Sequence, residues 1–457
     1  MKDNNSNTLL QGSIVNNLLK MSIPTMLGFL FQSVYDLINI MWIGKISSAS
    51  VAGVTIFMAI FWLVEILNEI IGTSSISLIS QSYGSGDVSR TKLAIEQTFT
   101  FKALVAIIAS IILMIILKPL LLFFTNDTEV IKSALDFGYI RIFFLPIMFS
   151  SFTVNTALRC LGDAKRPMIF MGIAATLNLI LDPIFMFKTI PGTSVPGLNL
   201  GVFGAGLATV IATTFAFSVG FYMLMSGKTK IKPSIKGLFK LNKEMDYKLI
   251  TIGLPSGFEM LSRNLSSIVT LKLITLYGTT AVTAVGIGNR LLGFAFMPLV
   301  GFAMGSSAII GQCLGANDIN RAKSTVKEAV IINAALMSIF TLAAIIFPKP
   351  ILSFFINDDS VINSGASMLR IMTPGLIFAG IFMGLGSTLS GSGHTMPFLF
   401  SSVTARWGVQ LPIMFVVIKL LHLPLTYAWV SFLLADFVEF IIIYFAYSKG
   451  GWQSKRV

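Results

Sequence analysis

The segments "KPLLLFFTNDTEVIKS" (118–133) and "KPILSFFINDDSVINS" (349–364) are identical at ten of sixteen positions. Unrelated segments of this length share roughly one residue at ordinary residue frequencies. The segments lie 231 residues apart, and the same offset aligns Pro24 with Pro255. The chain therefore consists of two homologous halves.

The composition is typical of a polytopic membrane protein. Of the 457 residues, 54% are hydrophobic and 12% are charged. A continuous apolar run of about 20 residues crosses a bilayer as a helix, whereas barrel strands alternate over about ten. We therefore predict an all-α fold with twelve membrane-spanning helices, at residues 17–41, 52–79, 93–117, 131–159, 166–187, 203–225, 248–277, 284–310, 325–347, 363–389, 397–419 and 424–447.

Basic residues are concentrated in alternate loops between these spans. The loop at 227–248 alone carries seven lysines, and this placement accounts for the net charge of +13 without a nucleic-acid partner. The positive-inside rule makes these loops and both termini cytoplasmic. We predict two six-helix lobes, 1–225 and 248–457, joined by a cytoplasmic linker at 226–247. An even number of spans per repeat places their pseudo-two-fold axis along the membrane normal, with a cleft between the lobes.

Asp182 is the strongest functional candidate among the charged residues. It follows Asn178 by one helical turn and precedes Pro183, which frees a backbone carbonyl. These oxygens suit Na⁺, and the carboxylate alone can carry a proton. A hydrogen-bonded kink is the rival interpretation. In the repeat, "LDP" (181–183) aligns with "QLP" (410–412), so we expect the cation site in the N-terminal lobe only.

Other charged residues within the spans have structural interpretations. Glu259 and Arg263 are four residues apart and predict an intrahelical ion pair, with gating, substrate contact or cation binding as alternatives. Asp436 and Glu439 share a helix face, where they line water or pair across helices. We expect Lys102 to extend toward the end of its span.

Several segments together resemble the multidrug and toxic compound extrusion (MATE) family, of the prokaryotic type. They are "QSYGSGD" (81–87), "NTALRCLGDAKRPM" (155–168), "NLILDPIF" (178–185), "GVFGAGLATV" (201–210) and "GQCLGAND" (311–318). The resemblance implies two six-helix lobes and export of organic compounds, often cationic and amphipathic, in exchange for Na⁺ or H⁺. It also implies an N-lobe cation site formed by Asn155, Asn178, Asp182 and Thr209.

The first span departs from the family pattern. The family commonly reads Tyr-Asn-x-x-Asp, whereas "YDLIN" (35–39) has Asp36 in the Asn place and Asn39 in the Asp place. Either Asp36 supplies the first-span carboxylate with Asn39 as a neutral oxygen ligand, or Asp36 is reached by water near the outer end of the span. Tyr35 is a further candidate for gating or substrate contact.

These features predict a monomeric transporter in the cell membrane, with small organic substrates, surrounding lipid and no cofactor besides the coupling ion. A flippase for lipid-linked oligosaccharides is the alternative, because several arginines lie in the spans. An intramembrane enzyme is disfavoured, since the two histidines, His394 and His422, lie near opposite membrane faces and the chain lacks the spacing of a metalloprotease motif.

The predicted topology is tested by labelling single cysteines in a cysteine-free background. We expect cysteines placed at Lys236 and Gln453 to react with a membrane-impermeant reagent only from the cytoplasmic face, because the lysine-rich linker and the even number of spans place both there. Labelling of either position from outside intact cells contradicts this orientation.

Overall fold

The computed structural model describes residues 8–457 and is built almost entirely from α-helices. The first seven residues of the predicted N-terminal lobe, including its predicted cytoplasmic terminus, lie outside this range. Across the described residues the β-structure is confined to one isolated bridge, between Thr189 and Pro196. The predicted all-α fold class is confirmed.

Each predicted span coincides with a helix or with a broken pair of helices. The helices of the first half are α1 Ile14–Gly44, α2 Ser48–Gly84, α3 Val88–Phe124, α4 Thr128–Phe143, α5 Leu145–Cys160, α6 Lys165–Met186 and α7 Gly201–Met225. Those of the second half are α8 Lys243–Ile274, α9 Thr279–Gly315, α10 Ile319–Ile346, α11 Pro348–Ser353, α12 Asp359–Met372, α13 Pro374–Ser392, α14 Met396–Val403, α15 Leu411–Phe415, α16 Leu425–Ser448 and α17 Gly451–Ser454. The segments Thr404–Gln410 and Val416–Leu420 are π-helical, so that α14 and α15 form one continuous span at Met396–Leu420.

Among the described residues ten helices are long and apolar enough to cross a membrane, and the pair α4 and α5, bent by 57°, gives an eleventh if it is counted as one span. The bend lies next to Pro146, which has no N–H to offer the carbonyl of Ile142. The Oγ of Ser110 on α3 donates a hydrogen bond of 2.7 Å to that carbonyl. The predicted seventh span, α8, has charged residues at its start and in its middle, and it is not among the ten.

Local structure repeats between the halves. Asp87 caps α3 by accepting a hydrogen bond from the backbone N–H of Arg90 at 2.8 Å, and Asp318 caps α10 through Arg321 at 2.9 Å. The 231-residue offset relates both pairs. The repeat that was predicted from sequence is therefore present at the level of individual caps.

The helices form two compact units. The N-terminal unit is Leu27–Thr251, and the C-terminal unit is Ile252–Val457 with the described residues up to Met26. A core cluster of the N-terminal unit joins α2, α3, α4, α5 and α7 around Phe57, Phe137 and Phe149, all fully buried. In the C-terminal unit a corresponding cluster surrounds Trp429 and Met414. The boundaries of the predicted lobes stay a prediction.

Candidate cation site and charge network

Asp182 on α6 is fully buried in the N-terminal unit, next to Asn178 and Thr209. With the amide nitrogen of Asn178 facing the carboxylate, it donates to Asp182 Oδ2 at 3.1 Å. The amide oxygen then accepts from the backbone N–H and the hydroxyl of Thr209 on α7, both at 3.1 Å. This orientation satisfies both ends of the amide, so Asn178 connects the acid to the neighbouring helix.

The second carboxylate oxygen of Asp182 has no such partner. Its Oδ1 is buried and accepts no hydrogen bond from the described residues. Asn39 of α1, itself buried, lies close enough to interact with the carboxyl group. Within the described chain, no Lys, Arg or His nitrogen lies within 4.0 Å of Asp182. A buried carboxylate held only by neutral groups is costly unless a proton or cation compensates its charge.

The residues around Asp182 are suitable for either coupling ion. A carboxylate, two amides and a hydroxyl supply the hard oxygen donors that Na⁺ requires, and Oδ1 alone is sufficient for a proton. Over residues 8–457 no three His, Cys, Asp or Glu side chains are close enough to hold a metal ion together. A Na⁺ site here would thus depend on neutral oxygens from Asn39 and Thr209 beside the single acid, and on a turn of the Asn178 amide that brings its oxygen toward the carboxylate.

A cavity of about 170 Å³ lies in the same unit. Two of the predicted residues, Tyr35 and Asn155, line it. The rest of the lining combines aromatic and methionine side chains with charged and amide groups, namely Phe29, Gln32, Glu65, Asn68, Arg141, Met148, Ser151, Phe152, Arg159, Phe170, Met171, Ala174, Thr213 and Ala216. The surface therefore offers both apolar contact and charge to a ligand.

The charged residues at this cavity were not predicted as a group. Arg141 is buried between the rings of Phe61 and Phe137, 5.0 and 5.2 Å from their centroids, and its Nε has no hydrogen-bond partner in the described part of the chain. Glu65 accepts a hydrogen bond of 2.9 Å from Asn68. The only sequence signal was that each of these charges falls within an apolar span.

Lys102 corrects one expectation from the sequence. It was expected to extend toward the end of its span, but its side chain is 1% exposed and lies over the ring of Phe152 at 5.2 Å. Glu69 lies within electrostatic reach of the ammonium group. Lys102 therefore points into the N-terminal unit, because a polar interior with an acid competes successfully with the interface for its charge.

The two polar residues of α1 have different surroundings. Asn39 is buried and faces Asp182, whereas Asp36 is exposed and interacts with Tyr35 and Arg141. Six predicted residues thus lie in two places, with Asn39, Asn178, Asp182 and Thr209 together, and Tyr35 and Asn155 at the cavity. Asp36 does not line the cavity itself, but it interacts with Tyr35 and Arg141 of the cavity lining.

The C-terminal unit contains a network of five charges. The predicted ion pair of Glu259 and Arg263 on α8 is present at 2.8 Å, and Arg263 also binds Glu439 of α16 at 3.0 Å. Arg406 pairs with Asp436 at 2.8 Å and with Glu439 at 3.2 Å. Asp436 and Glu439 therefore pair across helices, which was one of the two interpretations left open by the sequence.

The network lies on three helices that correspond, through the internal repeat, to the three helices that carry Asn39, Asp182 and Thr209. Under the repeat, α8, Met396–Leu420 and α16 correspond to α1, α6 and α7. In the first half these three helices hold one buried acid with neutral partners, and in the second they hold three acids with two guanidinium groups. Corresponding helices of the two halves therefore surround their buried acids differently, with neutral groups in the first half and with guanidinium groups in the second.

Known proteins are similar to this chain along most of its length. The family model described as MatE matches residues 24–184 and 255–416, once in each half. The chain is 27% identical over 438 residues to the probable multidrug resistance protein YoeA of Bacillus subtilis, covering 95% of this chain and 93% of that protein. It is 25% identical over 429 residues to the multidrug export protein MepA of Staphylococcus aureus, covering 91% and 90%.

Solved structures share the fold at lower identity. A transporter of the MOP superfamily from Pyrococcus furiosus superimposes with a TM-score of 0.89 at 20% identity, covering 98% of both chains. An outward-facing multidrug resistance transporter of the MATE family gives the same TM-score, identity and coverage. The twelve-helix, two-lobe fold predicted from sequence agrees with these structures.

The charge network predicts a specific loss of stability. Arg406→Met leaves Asp436 without its cationic partner, and breaking a buried pair in this way costs roughly 3–5 kcal/mol. We expect a lower melting temperature in detergent, partly restored by adding Asp436→Asn. Arg370→Met, at an exposed arginine outside the network, is the matched control. Equal melting temperatures for the Arg406 and Arg370 variants contradict a stabilising role.

Proposed function

The chain belongs to the MatE family, and we propose that it exports organic compounds across the cell membrane in exchange for Na⁺ or H⁺, with Asp182 binding the coupling ion. The proposal rests on one observation above all. Asp182 is a fully buried carboxylate with one oxygen that accepts no hydrogen bond from the described residues. Such an acid is stable when it binds a cation or a proton, and its charge changes when that ion leaves.

The substrate class is supported by the relatives and by the cavity. The curated relatives are named as multidrug resistance or export proteins. The cavity of the N-terminal unit combines Phe29, Phe152 and Met171 with Glu65 and Arg141. Aromatic rings and flexible methionines adapt to varied shapes, and mixed charges suit amphipathic molecules. We therefore propose organic, often cationic and amphipathic substrates, carried by a monomer with both termini in the cytoplasm and no catalytic activity.

Coupling requires that ion and substrate change the same equilibrium. A bound ion that stabilises one arrangement of the helices around Asp182 shifts the population of that arrangement by its differential affinity. Replacing Asp182 by a neutral residue removes this difference in ion affinity between the arrangements. Asn39, Asn178 and Thr209 would orient the carboxylate and supply oxygens to Na⁺, whereas proton coupling needs the carboxylate alone. Alternating access between two lobes is the simplest motion that uses such a shift.

The flippase alternative receives less support. A pyrophosphate-linked sugar needs several unengaged guanidinium groups. Arg263 and Arg406 are engaged by carboxylates, and Arg141 lies between two aromatic rings. Of the other arginines in the predicted spans, Arg290 and Arg370 are exposed on α9 and α12, and Arg166 pairs with Asp163 at 3.2 Å. Arg159 is buried, lines the same cavity as Arg141 and donates to the hydroxyl of Thr156 at 3.2 Å. Only Arg141 and Arg159 among the described arginines thus share a cavity.

Asp182→Asn tests the role of the acid. Asn has nearly the same volume as Asp and can keep the hydrogen bond to Asn178, but it cannot carry the negative charge that the coupling ion balances. We expect gradient-driven export to be lost in proteoliposomes, while substrate exchange without a gradient persists. Asp127→Asn, which replaces a helix-capping acid with an equally good cap, is the matched control. Normal export by the Asp182 variant under either gradient would show that the assignment is wrong.

The two polar residues of α1 are tested by exchanging them. If Asp36 supplies a first-span carboxylate for coupling, Asp36→Asn loses export and the double variant Asp36→Asn with Asn39→Asp recovers part of it. Recovery is expected because Asn39 already faces Asp182, so the moved acid joins the same site. Export rates in proteoliposomes provide the measurement. A parental rate for Asp36→Asn alone leaves Asp182 as the sole coupling acid.

A further inference from the structure

The lysine-rich linker at 226–247 packs against α3 within the N-terminal unit. Glu96 accepts a hydrogen bond of 2.9 Å from the hydroxyl of Ser234 and a second one from its backbone N–H. Gln97 donates to the carbonyl of Lys240 at 2.7 Å and accepts from the N–H of Asn242 at 2.8 Å. These bonds fix the backbone of the linker at both ends of its central turn.

The centre of the turn and the start of the linker are held as well. The hydroxyl of Thr100 donates to the carbonyl of Leu238 at 2.7 Å, and Ile231 is 2% exposed. At Gly237 an added Cβ would lie 1.9 Å from Glu96 Oε2, so the backbone approaches the acid as closely as only glycine permits. The linker is therefore a docked segment with a defined inner and outer side.

The position of the dock along α3 sets its depth in the membrane. A run of exposed large hydrophobic residues on α3 extends from Leu104 to Phe124, interrupted by Lys118 near the far end, and Val88 at the start of the helix is a separate exposed residue. A helical run of this length is roughly 30 Å long, which is about the thickness of the hydrocarbon core. Thr100 and Glu96 lie one and two turns beyond this run, on the side of the N-terminus of α3. The linker thus lies at the depth of the lipid headgroups.

The outer side of the linker is both apolar and basic. Ile235, Phe239 and Leu241 are 66%, 85% and 59% exposed. The same segment carries six exposed lysines, namely Lys228, Lys230, Lys232, Lys236, Lys240 and Lys243. Two acids of the segment, Glu244 and Asp246, lie at its far end in the first turn of α8. Exposed apolar side chains among lysines are typical of segments that lie in a membrane interface.

We propose that the docked linker is an interfacial anchor that binds anionic phospholipids. Phe239, Ile235 and Leu241 insert at the boundary between headgroups and acyl chains, and the lysines contact the phosphates. The attraction of each lysine to an anionic surface decays within a Debye length, so it acts only on lysines that lie close to the headgroups. The anchor is independent of the coupling ion and of the exported compound.

The test measures the depth of a spin label at position 239. Phe239→Cys is labelled in a background with the two buried cysteines, Cys160 and Cys313, replaced by serine. The protein is placed in nanodiscs of phosphatidylcholine alone or with phosphatidylglycerol, and power saturation compares collisions with oxygen and with a water-soluble nickel chelate. Ser89→Cys is the matched control, because Ser89 is exposed on the same helix two turns farther outward than Glu96.

We expect the oxygen-to-nickel accessibility ratio at 239 to exceed that at 89 several-fold in the anionic nanodiscs and to fall when phosphatidylglycerol is omitted. Replacing Lys230, Lys232, Lys236 and Lys240 by glutamine should remove the dependence on anionic lipid. Equal ratios at the two positions in anionic nanodiscs overturn the proposal. Protection at 239 that persists in lipid-free detergent and grows with protein concentration assigns the surface to a second copy of the chain, and also overturns it.

Discussion

The cost of placing a charge in hydrocarbon governs the interior of both units. Lipid offers no hydrogen bonds, so each buried ionisable group must find its partner within the protein. In the C-terminal unit two guanidinium groups and three carboxylates meet this demand with direct ion pairs. In the N-terminal unit Asp182 instead has amides and a hydroxyl around it. Its charge therefore has no counterion among the described residues, and a proton or cation that binds and dissociates would balance it.

The internal repeat makes this contrast informative. Equivalent aspartates cap equivalent helices at Asp87 and Asp318, which shows how closely the two halves follow one backbone plan. Where "LDP" in α6 corresponds to "QLP" in the second half, Leu411 stands in the place of Asp182. The acid occurs in one half alone, whereas the helix and its proline occur in both, so the carboxylate is not required to shape the helix. A kink at the shared proline would have needed no carboxylate.

Much of this arrangement could be predicted from the sequence. Hydropathy predicted twelve spans, each of which coincides with a helix or a broken pair of helices, and the offset of 231 residues revealed the repeat, because both depend only on local pattern. Contacts between helices could not be predicted in this way. Nothing in the sequence indicated that Lys102 points inward, that Arg406 binds two acids, or that Asn39 rather than Asp36 faces Asp182. Each of these depends on the rotation of a helix about its axis, which a continuously apolar span does not specify.

We propose that the charge of Asp182 couples an ion gradient to export. Substrate transport by the parental protein and by Asp182→Asn in proteoliposomes, with a Na⁺ gradient and an H⁺ gradient imposed separately, tests this role. We expect one of the two gradients to drive accumulation of substrate above its equilibrium level in the parental protein but not in Asp182→Asn, and an ionophore that dissipates this gradient to stop the accumulation. Transport that neither gradient stimulates, so that substrate only equilibrates across the membrane, or equal accumulation by the two proteins, would rule out this role.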